Sequence, residues 1–209
     1  MKQSRRKKAL VLLSGGIDSA AGLWWSKNQD WKLATLSFLF PGRRAQELRS
    51  ARKLRALVSC TENYEVDLPF IRSPRSDMAC HIPRRNLMFY GIAACIAEKA
   101  GADFIVGGHI KHDGKVFSDA RRKYLGEINR LVRAEHKFHQ KVELVFPFIN
   151  SDKSEVISTG YKLGVPLEKT WSCSRDLRKH CWKCNSCLER ITGFRDAGVA
   201  DPLYSKNGH

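Results

Sequence analysis

The sequence is short of negative charge. Its 209 residues contain 21 Asp and Glu against 37 Lys and Arg, a net charge of +16. This is far from the near-neutral balance of most enzymes that act on small metabolites, and it predicts an anionic ligand or partner. An acidic macromolecule such as tRNA, DNA or a protein surface is one such partner. The basic residues gather in clusters whose ordinary meaning is a solvated helical face, at residues 5–8, 43–44, 49–55 and 121–123.

Long apolar runs are also missing. The longest, such as residues 91–97, fall well below the roughly 18–20 residues that a membrane-spanning helix needs. The first eight residues are mostly basic or polar, but the apolar stretch behind them breaks at residues 14–16, which argues against a secretory signal. We therefore expect a cytoplasmic protein without membrane contact. The hydrophobic content of 43% is enough for a sizeable core.

The seven cysteines lack the even number typical of a disulfide framework. Three of them are dispersed, and we expect these to be small core residues or inert thiols: Cys60, Cys80 and Cys95. An odd total and a reducing compartment favour a metal site among the remaining four.

Those four cysteines follow the pattern Cys173-x7-Cys181-x2-Cys184-x2-Cys187. Four thiolates at this spacing can close a tetrahedral shell, with the two short steps forming a tight knuckle. We expect a structural Zn²⁺ site, with iron–sulfur ligation as the alternative. His180, which adjoins the cluster, is expected to be a solvated loop residue.

Apolar stretches of strand length alternate with helical stretches along most of the chain. Strands are predicted at residues 9–13, 32–38, 65–68, 103–108 and 142–148, and helices at residues 18–25, 45–58, 86–100, 123–134, 153–163 and 186–197. This alternation predicts an α/β fold with a doubly wound parallel sheet. We expect this domain to span residues 1–165, and a small metal-bound C-terminal lobe to span residues 166–209.

The segment Ser14-Gly15-Gly16-Ile17-Asp18-Ser19 lacks the lysine of a Walker loop and the glycine spacing of a dinucleotide fingerprint. It still has the parts of an anion cradle, because glycines let backbone N–H groups approach a phosphate and a helix start adds unpaired donors. For a bare glycine pair, the alternative is an ordinary turn in which Asp18 or Ser19 caps the helix.

The Ser-Gly-Gly-Ile-Asp-Ser sequence resembles the signature of the N-type ATP pyrophosphatases, the PP-loop family, over residues 9–20. In that family the loop holds the β,γ-pyrophosphate of ATP while a substrate oxygen attacks the α-phosphorus. The resemblance implies a Mg²⁺ ion that Asp18 helps to place. It also implies ATP contacts from Leu13, Ser14, Gly15, Gly16, Asp18, Ser19 and Ala20.

The loop and the cysteines together resemble a narrower family, the 7-cyano-7-deazaguanine synthases (QueC-like enzymes of the queuosine and archaeosine routes). Residues 82–86 are similar to that family's Val-Pro-Gly-Arg-Asn, and residues 118–121 to its Pro-Asp-Cys-Arg. The likeness extends through residues 152–155, 170–173, 181–187 and 197–202.

This resemblance implies an AMP-forming, carbon–nitrogen bond-forming ligase. ATP would activate the carboxylate of 7-carboxy-7-deazaguanine, ammonia would displace AMP to give the amide, and a second activation would dehydrate the amide to the nitrile. Such chemistry needs orientation and charge stabilisation rather than a side-chain nucleophile. The implied catalytic residues are Asp18, Arg85 and Lys153, with Asn86 and Gly108 as further ATP contacts. The residues implied for substrate recognition are Glu47, Asp119 and Arg121, and a homodimer is implied as well.

The sequence departs from this family around the expected acceptor pocket. The family's Phe-Asp-Tyr-Gly-Gln-Arg-His is replaced at Leu39, Phe40, Gly42 and Arg44, and residues 109–112 differ as well. Two alternatives therefore stay open beside the synthase. One is a divergent adenylating enzyme of a defence system that transfers a deazaguanine to a protein or nucleic acid. The other is a tRNA-associated PP-loop modification protein.

Overall fold

Five parallel strands form one sheet in the order β3-β2-β1-β4-β5 in a computed structural model. The structure describes residues 5–72, 82–134, 141–175 and 177–204. The strands are β1 Lys8–Leu12, β2 Lys32–Leu39, β3 Cys60–Asp67, β4 Phe104–Val106 and β5 Glu143–Val145. Central β1 pairs in parallel with both β2 and β4. The chain winds outward from β1 to β3 and then crosses to β4 on the other side, which confirms the predicted doubly wound α/β sheet.

Helices connect these strands and extend the chain beyond them. Their bounds are α1 Ile17–Asn28, α2 Ala45–Arg55, α3 Arg85–Ala100, α4 Asp113–Val116, α5 Arg122–Ala134, α6 Lys153–Lys162 and α7 Asn185–Asp196. Short 3-10 turns occur at Ser118–Ala120 and Leu167–Lys169. No helix in the described ranges is long and apolar enough to cross a membrane.

Alternate residues of β1 face two separate cores, one on each side of the sheet. Ala9 and Val11 pack with α1, α2, α6 and α7, whereas Leu10 packs with α3 and α5. This follows from the two-residue period of a strand that is buried on both faces. Burial of each large apolar side chain contributes about 1.5–3 kcal/mol, so both layers hold the sheet in place.

The structure differs most from the sequence-based expectation at β3, which begins at Cys60 rather than at residue 65. This strand lies at the edge of the sheet and pairs only with β2. Its first half is polar and partly exposed, so no apolar pattern marks it. Backbone hydrogen bonding to β2 defines the strand there, and a sequence pattern does not report that pairing.

The C-terminal part, residues 166–204, is called here the cysteine lobe. Its helix α7 packs against α6. Trp171 and three of the clustered cysteines form a small apolar group of their own, separate from the two main cores. The division of the chain at residues 165 and 166 stays a prediction.

Candidate active site

Two loops meet where the winding of the sheet reverses. Residues 13–16 follow β1, and residues 107–112 follow β4. Open α/β sheets bind ligands at the carboxyl ends of strands at such a switch point. Two adjoining cavities lie there, and Gly16, Asp18 and Asp113 line both of them.

The loop after β1 turns around the Ser19 hydroxyl. Ser19 Oγ lies 3.3 Å from the Ser14 amide nitrogen, 3.2 Å from the Gly15 amide nitrogen and 3.0 Å from Ser14 Oγ. Helix α1 begins at Ile17, and its N-cap residue Gly16 makes no side-chain capping bond. The helix start therefore offers N–H groups and a positive dipole end to an anion.

Two glycines of the site tolerate no side chain. Gly15 has φ +100°, and a Cβ there would lie 2.2 Å from the Glu47 carbonyl oxygen. A Cβ at Gly108 would lie 2.8 Å from the Ser19 amide nitrogen. The backbone of α2 contacts the loop of residues 13–16, and the loop after β4 contacts the start of α1. These contacts fix the shape of residues 13–19, called here the phosphate-type loop.

Asp18 and Lys153 form an ion pair between the first turns of α1 and α6. Lys153 Nζ lies 2.8 and 2.6 Å from the two Asp18 carboxylate oxygens. A capping box of Asp152 and Glu155 fixes the start of α6. The pair borders the smaller cavity, about 180 Å³. Asp18 and Asp113 both line it and supply carboxylate oxygens, the ligand type that Mg²⁺ prefers.

The larger cavity, about 270 Å³, has an aromatic wall. Phe38 and Phe89 are stacked with ring centroids 4.0 Å apart, and Phe40 lies 6.1 Å from Phe89. The Arg85 guanidinium carbon is 5.9 Å from the centre of the Phe89 ring. A flat base fits such a wall, and the arginine supplies positive charge beside it.

The structure gathers most of the residues expected from sequence around these cavities. The larger cavity is lined by Leu13, Ser14, Gly16, Asp18, Ser19, Glu47, Arg85, Asn86 and Gly108. Lys153 lines the smaller one. Gly15 and Ala20 are not among the lining residues, since Gly15 packs under α2 and Ala20 is fully buried.

Asp119 and Arg121, expected to recognise substrate, line neither cavity. Asp119 is buried behind Asn86: its Oδ2 accepts the Asn86 backbone N–H at 3.2 Å, and its carbonyl oxygen accepts Asn86 Nδ2 at 3.1 Å. Asp119 thereby fixes the start of α3. Arg121 is exposed and donates from Nε to the Gly114 carbonyl at 3.3 Å. Their roles toward substrate stay predictions.

Arg43 and Arg44 are not the solvated pair that the sequence suggests. Arg43 donates to the carbonyl oxygens of Ser14, at 2.8 Å, and of Phe38, and its side chain is only 7% exposed. Arg44 is buried and donates to the carbonyls of Gly42 and Ser174. The charge pattern misjudged both, because it does not distinguish a solvated guanidinium from one that binds backbone carbonyls.

Burial lowers the pKa of Arg43, with Glu47 acting in the opposite direction. Burial raises the pKa of Glu47, and the charges of Arg43 and Arg44 only partly oppose this. The Arg43 Nε lies 3.7 Å from Glu47 Oε2. This coupled pair forms one side of the larger cavity next to Ser14.

His109 and Asp113 form an acid–imidazole contact at the site. Their Nδ1 and Oδ2 atoms are 3.7 Å apart, and Asp113 also accepts the Ile110 amide at 3.0 Å. Burial acts to raise the pKa of Asp113, but these two contacts together with the Lys153 charge outweigh it, and the net shift is downward. Both residues line the larger cavity.

The four clustered cysteines converge on one point. Their Sγ atoms all lie within 4.8 Å of one another, and the pairs Cys181–Cys187 and Cys173–Cys184 are each 3.9 Å apart. A tetrahedral ion with bonds of about 2.3 Å sets its sulfur ligands about 3.8 Å apart. The Cys184 amide also donates to Cys181 Sγ at 3.3 Å. The residues present therefore fit a bound metal ion.

The cysteine lobe contacts the phosphate-type loop directly. The Trp171 backbone N–H donates to the Gly15 carbonyl at 2.9 Å. His180, expected in solvent, is buried between Trp171 and Trp182 and accepts the Ser172 amide at 3.1 Å. Burial, followed by the Arg190 charge, lowers its pKa to about 4, so it is a neutral packing residue.

Arg190 on α7 joins the parts of this lobe. It is fully buried, and its Nε and Nη2 lie 2.6 and 2.8 Å from the two Asp201 carboxylate oxygens. It also donates to Thr170 Oγ1 at 2.8 Å and to the Leu167 carbonyl at 3.1 Å. The segments before and after the cysteines are thus tied to α7.

Comparison with known proteins decides the family. A family model described as the queuosine biosynthesis protein QueC matches residues 8–79 and 73–198. The chain belongs to the QueC family. It is 32% identical over 216 residues to a 7-cyano-7-deazaguanine synthase of a Sulfurovum species, covering 94% of this chain and 97% of the relative. It is 33% identical over 222 residues to that of Thermoplasma acidophilum, covering 96% and 93%.

Solved structures share the fold of this QueC family member. NMN synthetase from Francisella tularensis superposes with a TM-score of 0.54 at 16% identity, covering 93% of this chain and 78% of that one. A 4-thiouridine synthetase, in an RNA complex with bound ATP, gives a TM-score of 0.53 at 17% identity, covering 92% and 50%. These similarities support the PP-loop α/β architecture alone.

Several residues of this QueC site were given no role in the sequence analysis, among them Arg43, His109, Trp171 and Arg190. Arg43 is the arginine of the segment that resembles Phe-Asp-Tyr-Gly-Gln-Arg-His, so a signal for it existed. Trp171 lies in a matching stretch, but its backbone N–H makes the contact. Nothing distinguishes Arg190 from surface charge in the sequence, because only the fold buries it beside Asp201.

Proposed function

We propose that this chain is a 7-cyano-7-deazaguanine synthase that uses two ATP per turnover. The observation that carries the proposal is the pairing of two chambers in a QueC family member. The smaller cavity, called here the polar chamber, faces the uncapped start of α1. The larger cavity, called here the aromatic chamber, has the aromatic wall. Asp18 stands between them. The relatives reported above carry the synthase name, and neither alternative function gains a distinguishing feature in the site.

The polar chamber suits the triphosphate of ATP. N–H groups at the start of α1 and the Ser14 hydroxyl would hold the β- and γ-phosphates. Lys153, paired with Asp18 in the structure, would neutralise pyrophosphate as it leaves. A Mg²⁺ ion held by Asp18 and Asp113 would supply further positive charge for the departing pyrophosphate.

The aromatic chamber suits a flat heterocycle whose carboxylate points toward Arg85 and Asp18. A carboxylate oxygen attacks the α-phosphorus and pyrophosphate leaves. Ammonia then attacks the carbonyl carbon, and AMP leaves with that oxygen. In the second round the amide oxygen is adenylated and leaves on a second AMP, which produces the nitrile. Arg85 would stabilise the charge that develops on oxygen, and Asn86, fixed by Asp119, would orient the nucleotide.

The cysteine lobe would hold one structural Zn²⁺ through Cys173, Cys181, Cys184 and Cys187. Four thiolate ligands complete a tetrahedral shell, so the ion would have no open position for catalysis. Thiolate ligation of this kind is typical of a reducing compartment, and we place the enzyme in the cytoplasm. Family resemblance further suggests a homodimer.

Exchange of labelled pyrophosphate into ATP tests the proposal. We expect exchange that depends on 7-carboxy-7-deazaguanine and Mg²⁺. It should fall on the order of 100-fold in Asp18→Asn, because a carboxylate that would hold Mg²⁺ at the reacting phosphates is lost. Asp30→Asn, which alters an exposed carboxylate just beyond the other end of α1, is the matched control and should leave exchange unchanged. Full exchange in Asp18→Asn, with the fold intact by circular dichroism, would refute the assignment.

A further inference from the structure

A basic groove lies between α2 and the cysteine lobe, outside the two chambers of the site. Its volume is about 710 Å³. Five basic side chains line it: Arg49, Lys53, Lys169, Arg178 and Lys179. Trp171 lines both this groove and the polar chamber, so the two adjoin each other.

The basic residues of α2 divide into two sets. Arg52 and Arg55 reach Glu65 of β3, at 2.6 and 2.9 Å. Arg49 and Lys53 are exposed in the groove and have no ion pair among the described residues. Their i,i+4 spacing places two like charges on one helix face, where they repel each other and destabilise the helix. The fold itself gains nothing from this arrangement.

The opposite wall repeats the pattern. Arg178 and Lys179 lie in the loop between Cys173 and Cys181, are exposed, and have no ion pair within the part of the chain that the structure describes. Among the described lining residues the single acid is Glu168, which already lies 3.7 Å from Lys169. Cations from two separate elements thus face one concavity with almost no acidic partner.

We propose that this groove binds the phosphodiester backbone of a nucleic acid. A protein partner would need an apolar centre, but among the described residues Leu57 is the one exposed large apolar side chain of the groove, and it is about half open to solvent. A row of phosphates needs only spaced Lys and Arg side chains. The groove also gives a use to part of the +16 charge that a nucleotide and a carboxylate leave unmatched.

This inference goes beyond the synthase reaction, because ammonia and a free deazaguanine do not need the groove. It is tested with the full-length protein and fluorescent oligo-uridine RNA, oligo-thymidine DNA and a DNA duplex, each about 20 nucleotides long. Anisotropy titrations between about 50 and 200 mM salt give the affinity and its salt dependence. The single-stranded and duplex probes distinguish the sources of the phosphodiester.

The test variant is Arg49→Glu/Lys53→Glu. We expect binding to at least one probe, and the variant to bind it at least tenfold more weakly. For a single strand, the slope of log affinity against log salt should become shallower by about 1.4 for the two lost contacts. The control, Arg130→Glu/Arg133→Glu, makes the same charge change on α5, which packs on the other face of the sheet.

The control should keep most of the affinity. Equal loss in both double variants, or no binding of any probe at about 50 mM salt, would overturn the proposal. Binding of an acidic protein but of no nucleic acid would overturn it as well. Pyrophosphate exchange should be unchanged in the test variant, so failure of the groove and failure of the synthase assignment are distinguishable.

Discussion

At the scale of single residues, the site depends on backbone positions as much as on charged side chains. Gly15 lies against the α2 backbone, and Gly108 lies against the start of α1. Arg43 holds the Ser14 carbonyl from the other side. These contacts shape the anion cradle before any ligand enters, which is the preorganisation that adenylation needs.

Gly15→Ala should therefore destabilise the chain by more than about 2 kcal/mol, because φ is positive and the new methyl group meets backbone atoms that cannot move away. Gly91→Ala is the control: it lies inside α3 with no atom within 4 Å of the new methyl group. That change should stabilise by about 0.5–1 kcal/mol. Chemical denaturation measures both, and equal effects would contradict the close approach at Gly15.

Arg84 is the N-cap of α3 and has φ 55°, in the left-handed region that disfavours a side chain. The similar family segment has glycine at this place. Arg84→Gly should stabilise the chain by up to about 1 kcal/mol. Arg84→Ala removes the same charge but keeps the strain, so it should bring no gain. A gain of equal size in both variants would show that charge, rather than backbone strain, is the cause.

At the scale of elements, the cysteine lobe and the phosphate-type loop act as one structural unit. Trp171 donates its backbone N–H to Gly15, and Arg44 reaches the Ser174 carbonyl. Arg190 and Asp201 tie the flanking segments to α7. Sequence spacing predicted the cysteine cluster, because ligands close in sequence form a local structure. It did not predict these links, since a backbone donor and a buried arginine have no sequence pattern.

Arg190→Met tests how α7 is tied to the lobe. It should destabilise by about 3–5 kcal/mol, because the buried Asp201 carboxylate would lose the positive charge that faces it. Arg195→Met removes an exposed ion pair with Asp196 on the same helix and should change stability by less than about 0.5 kcal/mol. Thermal unfolding compares the two variants. A small effect at Arg190 would contradict the buried geometry.

Loss of the metal ion proposed for the cysteine lobe should affect the proposed ATP-binding chamber through Trp171. Cys187→Ser is expected to weaken ATP binding about fivefold, the equivalent of one backbone hydrogen bond of about 1 kcal/mol. Cys95→Ser changes an exposed thiol outside the cluster and should leave affinity unchanged. Calorimetric titration with ATP measures this in the absence of turnover. Unaltered affinity in a folded, metal-free variant would show that the lobe and the loop are independent.

At the scale of the whole molecule, the position of each strand in the sheet determines how well the sequence predicts that strand. Buried β1 and β2 are apolar, and their pattern alone predicts a parallel sheet. Edge strand β3 and the short helix α4 were missed or shortened, because tertiary pairing defines them. The residues of the phosphate-type loop and of the cysteine cluster lie close together in the chain, so the sequence alone identified these motifs. The aromatic chamber combines β2, α3 and the loop after β4, so only the fold brings its parts together.

At the same scale, many of the basic residues have partners within the fold. Arg43 and Arg44 are internal, Arg52 and Arg55 pair with Glu65, and Lys153 pairs with Asp18. Four basic residues without an ion pair in the described part of the chain line the groove between α2 and the cysteine lobe: Arg49, Lys53, Arg178 and Lys179. A positive field at the groove would draw anions toward it.

The synthase assignment is tested most directly by following the atoms of one turnover. The enzyme is incubated with ATP, Mg²⁺, ammonium of heavy nitrogen and 7-carboxy-7-deazaguanine that carries heavy oxygen in its carboxylate, and the products are analysed by mass spectrometry. We expect a nitrile that contains the heavy nitrogen and AMP that carries the heavy oxygen. Release of AMP without conversion of the acid to the nitrile would contradict the assignment.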